Sequence, residues 1–227
     1  MQQYHQVKQK YPDDVIFFRM GDFYEMFFKD AEVAHQVLGL TLTRRSHGKG
    51  ERADTPLAGF PHHQLENYLA RMTRAGYRVV VVDQVEDPKK AKGIVKRDIV
   101  AIVTAGTNLS ESTVEEGRNQ FLAAVFLEKK QAGVAVCDAT TGEFTATSLE
   151  IRNLRDLFDL LTPAEIIYVD EQRDTIREYA LEKAMLTPLP EWTFENSFAQ
   201  DTLMDHFGVQ NLKGFGIAED ILAVRAA

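Results

Sequence analysis

The chain has 227 residues, enough for one large domain or two ordinary ones, and its 44% hydrophobic and 26% charged composition is that of a folded protein rather than a disordered one. No run approaches the ~18 consecutive apolar residues that a membrane span needs, and the opening MQQYHQVKQKYPDD has no apolar core of the kind a secretory leader carries. One cysteine, Cys137, excludes a disulfide framework and a multi-cysteine zinc site, so the expected setting is a reducing cytoplasm with no membrane partner.

The net charge of −8 hides a division: residues 1–103 sum to +3 and residues 104–227 to −11. Two basic clusters lie in the first part, Arg44, Arg45, Lys49 and Arg52 in one and Lys89, Lys90, Lys92, Lys96 and Arg97 in the other. They read equally as patches facing nucleic acid or as solvated loops.

Tyr4–Tyr11 reads as a short helix closed by Pro12, and the β-branched, aromatic run Val15–Met20 as a strand. After GDFYEMF, Ala31, Ala34, Val37 and Leu38 repeat at helical spacing up to Gly39. Leu40–Arg45 alternates as a strand and runs into a polar loop, Ser46–Thr55. Pro61 suits a first helical position, Leu65, Tyr68, Leu69 and Met72 share a face, and Gly76 ends that helix. Tyr77–Val85 is an almost unbroken β-branched run, as in a strand covered on both faces, and Arg97–Gly106 is a further strand. Residues 104–120 are polar and aperiodic and read as a linker between a first domain, 1–103, and a second, 121–227.

The second domain opens with three runs, Phe121–Glu128, Ala132–Asp138 and Gly142–Leu149, spaced as a meander of hairpins. An amphipathic helix follows (Ile151, Leu154, Leu157, Phe158, Leu161) and stops before Pro163. Strand Ala164–Asp170, helix Thr175–Ala184 and an apolar stretch near Leu186 complete the order. Three strands followed by helix, strand and helix is the order of an RNase H-like α/β domain, so the whole reads as α/β: a mixed-sheet domain and then an RNase H-like one. The closing IAEDILAVRAA reads as an unfinished helix, as if cut from a longer protein.

Most chemistry-bearing motifs are missing. No phosphate loop, GxGxxG or HExxH occurs, and the six histidines show no ligand spacing. His62 and His63 read as surface residues, Cys137 as a small buried hydrophobe and Trp192 as packing. Asp138, with Glu143 and Asp170, allows a rival reading as a two-metal nuclease on the RNase H-like scaffold, although only Asp138 is at an expected strand end. A protein-interaction module without a DNA role is a second rival, suited to the acidic half and opposed by the basic clusters.

The informative segment is RMGDFYEMF, Arg19–Phe27. If residues 23–25 are extended, Phe23 and Glu25 project from one side and Tyr24 from the other, toward the domain. An aromatic wedge beside an acid suits a DNA groove, where unstacking and bending cost least at a defective pair. On pattern alone, Phe23 and Phe27 in the core with a solvated Glu25 is the more common arrangement.

MGDFYEMF followed by a helix resembles the mismatch-binding motif of the MutS family of DNA mismatch-repair proteins. LTLTRR, TPLAGFPHHQLENYLARM, VVVVDQVEDP, KGIVKRDIVAIVTAGT, DATTGEF, LTPAEIIY and GFG fall in that family's order along essentially the whole chain. The resemblance implies that Phe23 stacks on a mispaired or unpaired base of double-stranded DNA and that Glu25 hydrogen-bonds to it. It makes Glu25 protonated in the complex, since phosphate charge and desolvation raise a carboxyl pKa and an ionised carboxylate has no donor for purine N7. Arg45 and Arg97 match basic positions that contact the DNA backbone, and Arg44, Lys49 and Lys96 are weaker candidates for the same role. The second half resembles the family's connector domain, which also docks a MutL-type partner. ATP and Mg binding, ATP hydrolysis and self-dimerisation belong to parts of the family absent from this stretch, which is expected to hold no cofactor and catalyse nothing.

Overall fold

A computed structural model describes residues 1–45, 55–86, 93–108 and 120–227, and the chain divides into two units, Met1–Glu116 and Gly117–Ala227. Both are mixed α/β. Among the described residues there are seven α-helices and two mixed sheets. Among the described residues no helix is long and apolar enough to cross a membrane.

In the first unit the β-branched run forms β1 (Val15–Met20), and a turn at Gly21 and Asp22 returns the chain as β2 (Phe23–Phe27). Gly21 has φ +60, which glycine adopts without steric cost. These two strands occupy the middle of a six-stranded sheet completed by β3 (Thr43–Arg45), β4 (Thr55–Pro61), β5 (Val79–Gln84) and β6 (Arg97–Val103), in the order β3-β4-β2-β1-β5-β6. Among the described strands of this sheet, β1 and β5 alone run parallel. Burial of Val79 to Val82 is complete on both faces, as the unbroken apolar run predicts.

Helices α2 (Lys29–Leu38) and α3 (Leu65–Arg74) cover one face, where Ala31, Ala34, Leu69 and Met72 pack on Val15, Phe17, Tyr24, Met26, Phe60, Val79 and Val81. The opposite face is covered by α1 (Gln2–Lys10), whose Tyr4 and Val7 pack on Ile16, Phe18, Phe27, Val80 and Val82. The buried Asp30 carboxylate fastens α1 down: it accepts from the Tyr4 hydroxyl at 2.8 Å, the Lys8 ammonium at 2.7 Å and the Ile16 amide at 3.2 Å.

Pro61 does not begin a helix: it is extended (ψ 136) and ends β4, paired with Phe23, and a single 3-10 turn (His62–Gln64) precedes α3. β4 itself was not expected, because its two prolines and one glycine suppress the β-branched signal that marks a strand. In addition, only Thr43–Arg45 of the alternating Leu40–Arg45 pairs as a strand. Of the stretch read as a linker, Thr104 and Thr107 hydrogen-bond to each other, and the buried Asn108 amide donates to Thr73 in α3 at 3.0 Å.

The second unit has β7 (Phe121–Glu128), β8 (Gln131–Asp138) and β9 (Phe144–Glu150) as an antiparallel meander, followed by α4 (Leu154–Leu161), β10 (Glu165–Val169), α5 (Arg173–Tyr179) and β11 (Met185–Leu189). The sheet order β11-β10-β7-β8-β9, with β10 parallel to β7 and β11, is the RNase H-like arrangement the element order predicts. Leu154, Phe158 and Ile176 pack on one face. Ala226 of α7 (Ile221–Ala226) packs with Phe126, Ala135 and Phe194 on the other, and α6 (Asn196–Phe207) packs on α7 through Ala199, Leu203 and Val224. α6 was not expected, since it buries only Ala199 and Leu203. Trp192, expected in packing, is 55% exposed, with one ring edge on Phe198 at 5.1 Å. Cys137 is half-buried.

Candidate nucleic-acid interface

Alternation along β2 divides its side chains cleanly. Tyr24 and Met26 enter the core under α2 and α3, whereas Phe23, Glu25 and Phe27 share the α1 face. α1 reaches Phe27, but toward the Gly21–Asp22 turn Phe23 is 47% exposed and Glu25 half-buried. The aromatic and the acid therefore stand on the same side at the turn end of the hairpin.

Their neighbours follow from strand register. Glu25 lies opposite Phe18 on one side and Gly59 on the other, and Phe23 lies between Met20 and Pro61. Gly59 leaves the sheet bare beside Glu25: a Cβ there would stand 3.0 Å from the Tyr24 carbonyl oxygen and 3.5 Å from Glu25 Cγ. His62 supports the turn from β4, its backbone amide donating to the Asp22 carbonyl at 2.9 Å and its Nδ1 standing 3.1 Å from the same oxygen.

Tyr24 is anchored underneath. Its hydroxyl donates to Asp83 at 2.7 Å, and the Arg19 guanidinium lies 5.6 Å over its ring. Burial raises the Tyr24 phenol well above its ordinary value, and the hydrogen bond to Asp83 and that residue's charge add to the shift, against a smaller opposing effect of Arg19.

The basic residues singled out by sequence differ in placement. Arg44 is exposed on β3, Arg45 pairs through its backbone with Thr55, and Lys96 is exposed, with its amide donating to Glu86. Lys49 lies outside the described residues, as do Arg52, Lys89, Lys90 and Lys92. Arg97 is half-buried: Nε donates to the Arg19 carbonyl at 2.6 Å, a terminal nitrogen donates to the Val95 carbonyl at 2.8 Å, and the guanidinium lies 5.4 Å over the Phe18 ring. Burial lowers its pKa from the ordinary arginine value, and the negative charge of Glu25 opposes that shift. The resemblance set Arg97 apart from its cluster as a DNA-backbone contact, but nothing local in the sequence pointed to its bond to the Arg19 carbonyl, 78 positions away.

In the second unit, Asp138 closes a turn. Its Oδ1 accepts from the Thr140 hydroxyl at 2.7 Å, the Thr140 amide at 2.9 Å and the Gln120 amide at 3.3 Å. Burial opposes its ionisation, but these bonds outweigh it and hold the carboxyl below the usual range. Asp170 instead pairs with Arg173 at 2.6 Å, and among the described residues no three His, Cys, Asp or Glu side chains gather as a metal site. The arrangement gives no support to a two-metal nuclease. An apolar groove opens between β9 and α6, with partly exposed Phe144, Phe207 and Phe215 at its rim.

Two mixed α/β modules, one with an exposed aromatic beside a half-buried acid at a hairpin end and one with an RNase H-like sheet, define the class. The chain belongs to the MutS family: the model of MutS domain I matches residues 1–112, and that of MutS domain II residues 120–227. Among its relatives, the DNA mismatch repair protein MutS of Cytophaga hutchinsonii is 40% identical over 227 residues, all of this chain and 26% of the relative. That of Chlorobaculum parvum is 45% identical over 224 residues, 96% of this chain and 25% of the relative. The chain thus spans about a quarter of the length of the curated relatives it matches.

Proposed function

We propose that the first unit recognises mispaired or unpaired bases in duplex DNA during mismatch repair, with Phe23 as the wedge and Glu25 as the hydrogen-bonding partner of the displaced base. The observation that carries the reading is the split of β2: Phe23 is 47% exposed beside Glu25, while Tyr24 between them is buried and bonded to Asp83. An exposed aromatic ring at a rigid hairpin end can enter a base step, and the unstacking it requires is cheapest where pairing is already faulty. Gly59, the register partner of Glu25, presents no side chain beside it. Arg44, Arg45, Lys49 and Lys96 supply backbone contacts that hold the duplex without reading sequence.

The second unit serves as a connector and docks a MutL-type protein partner. Its net negative charge and the apolar groove at Phe144, Phe207 and Phe215 suit protein rather than DNA contact. ATP and Mg binding, ATP hydrolysis and self-dimerisation are assigned to the remainder of the protein, so these two units work as reader and adaptor.

The test is binding to a duplex with one G·T mismatch or one unpaired T against matched duplex at low salt. Wild type should prefer the defective duplex, and Phe23→Ala should abolish the preference. Equal preference in wild type and Phe23→Ala would overturn the assignment.

A further inference from the structure

On its β5 side, backbone pairing along β1 stops short of the turn that carries Phe23. The β1–β5 ladder runs from Val15 opposite Val79 to Phe18 opposite Val82 and no further. Arg19 and Met20 therefore extend past it, and their backbone groups on that side need other partners. For the Arg19 carbonyl the partner is a side chain: Arg97, at the start of β6, donates its Nε across 2.6 Å. The same guanidinium is fixed by the Val95 carbonyl at 2.8 Å and by the Phe18 ring beneath it. Phe18 is the register partner of Glu25, whose charge acts on Arg97.

We infer that Arg97 is the positioning residue of the reading hairpin: its guanidinium takes the place of the missing ladder at Arg19 and so fixes the turn from which Phe23 and Glu25 project. The inference rests on the reading role proposed for those two residues. It assigns Arg97 a task different from that of a phosphate-binding arginine, which keeps its donors toward solvent. Arg97 uses two of them on carbonyls of its own unit, in a planar fork that a lysine ammonium does not reproduce. Tyr24 and Asp83 tie the same hairpin from the opposite face of the sheet. Arg97 thus completes a clamp with one tie above and one below the strand.

The two roles separate experimentally. Loss of a phosphate contact weakens every duplex alike and reduces the salt dependence of binding by about one counterion. Loss of positioning reduces the preference for defective duplex and leaves the salt dependence alone. The experiment is anisotropy titration of the protein at its full natural length, as wild type, Arg97→Met, Arg97→Lys and Phe23→Ala. Duplexes with one unpaired T and matched duplexes are compared over a series of salt concentrations. Amide hydrogen exchange on the peptide spanning residues 19–24 is measured in parallel.

Arg97→Met should lower the defective-to-matched affinity ratio about ten-fold, the scale of one lost charged hydrogen bond, with an unchanged salt slope. Exchange should quicken at residues 19–24 and stay as in wild type across the core under α2 and α3, which separates local loosening from unfolding. Arg97→Lys, able to satisfy one carbonyl but not both, should fall between wild type and Arg97→Met. A uniform loss on both duplexes with a shallower salt slope and unchanged exchange would make Arg97 a phosphate contact and overturn the inference. Unchanged affinity ratio and unchanged exchange would overturn it as well. If Phe23→Ala keeps full discrimination, the reading role fails, and exchange at residues 19–24 in Arg97→Met still decides whether Arg97 fixes the turn.

Discussion

The Tyr24 phenol donates to the Asp83 carboxylate across 2.7 Å, joining β2 to β5 over the intervening β1. Because side chains alternate along a strand, holding Tyr24 inward holds Phe23 and Glu25 outward. Tyr24→Phe keeps the ring but leaves Asp83 with the Gln84 amide and a guanidinium nitrogen of Arg19 at 3.9 Å. The expected cost is about 1–2 kcal/mol in the unfolding of the first unit, read from the urea midpoint. A midpoint equal to that of wild type would show the bond to be dispensable.

Alkaline pH should weaken the first unit. Burial raises both the Tyr4 and Tyr24 phenols far above the ordinary value of about 10, helped by Asp30 and Asp83 respectively. In the unfolded chain both ionise near that ordinary value while the folded state keeps its protons. The stabilisation is therefore complete below about pH 10 and is lost as pH rises beyond it, by up to about 1.4 kcal/mol per pH unit for each tyrosine. Urea unfolding at about pH 9, 10 and 11 measures the slope, and Tyr4→Phe should make it shallower. A flat profile across that range would contradict the shifts.

Asp30 offers a sharper stability test. Its carboxylate takes the Tyr4 hydroxyl, the Lys8 ammonium and the Ile16 amide, and it is nearly inaccessible to solvent. Asp30→Ala leaves the Ile16 amide without that acceptor, while Tyr4 and Lys8 keep only the carbonyls of Phe27 and Asp14. Destabilisation of about 3–5 kcal/mol is expected, the range for breaking a buried ion pair from one side. Calorimetry should show the first unit melting earlier with the second unchanged.

Much of this architecture is legible in the residues. Val15–Met20 and Phe121–Glu128 form strands over the bounds their β-branched runs mark, and Gly39 ends α2 with φ +70 as a left-handed cap. The failures have physical causes. β4 hides behind Pro56 and Pro61, whose pairing with Arg44 and Phe23 is decided by neighbouring strands rather than by propensity. α6 has too few buried positions for its period to stand out. At the candidate site, the Phe-x-Glu spacing predicts a shared face, but the ties of Tyr24 to Asp83 and of Arg97 to Arg19 span 59 and 78 residues and leave no local trace.

Gly133 in β8 allows α7 to lie directly on the sheet. A Cβ at this position would collide with the Leu222 carbonyl oxygen, a backbone atom that cannot turn aside. Gly133→Ala must push α7 away and disturb its packing against Phe126 and Ala135. Overpacking of this kind costs about 1–3 kcal/mol, so the second unit should melt earlier while the first is unaffected. Wild-type stability in Gly133→Ala would mean that α7 is not seated as described.

Glu25→Gln distinguishes a hydrogen-bond donor from a fixed negative charge at the reading position. An ionised carboxylate only accepts, and phosphates nearby disfavour it, whereas a protonated acid can donate to a purine ring nitrogen. The Arg97 guanidinium stands close enough to feel the Glu25 charge. Glutamine keeps the shape, supplies an N–H donor at every pH and carries no charge. If the protonated acid is the working form, Glu25→Gln should bind the defective duplex within about three-fold of wild type. Removing a negative charge from beside the phosphates should meanwhile strengthen binding to matched duplex several-fold, so that discrimination falls even though recognition survives. Glu25→Ala, which lacks the donor as well as the charge, should lose about ten-fold on the defective duplex relative to glutamine. Titrations of the three proteins on both duplexes provide the comparison. A loss in Glu25→Gln as large as in Glu25→Ala would mean that Glu25 acts by accepting, and the protonated form would have to be abandoned.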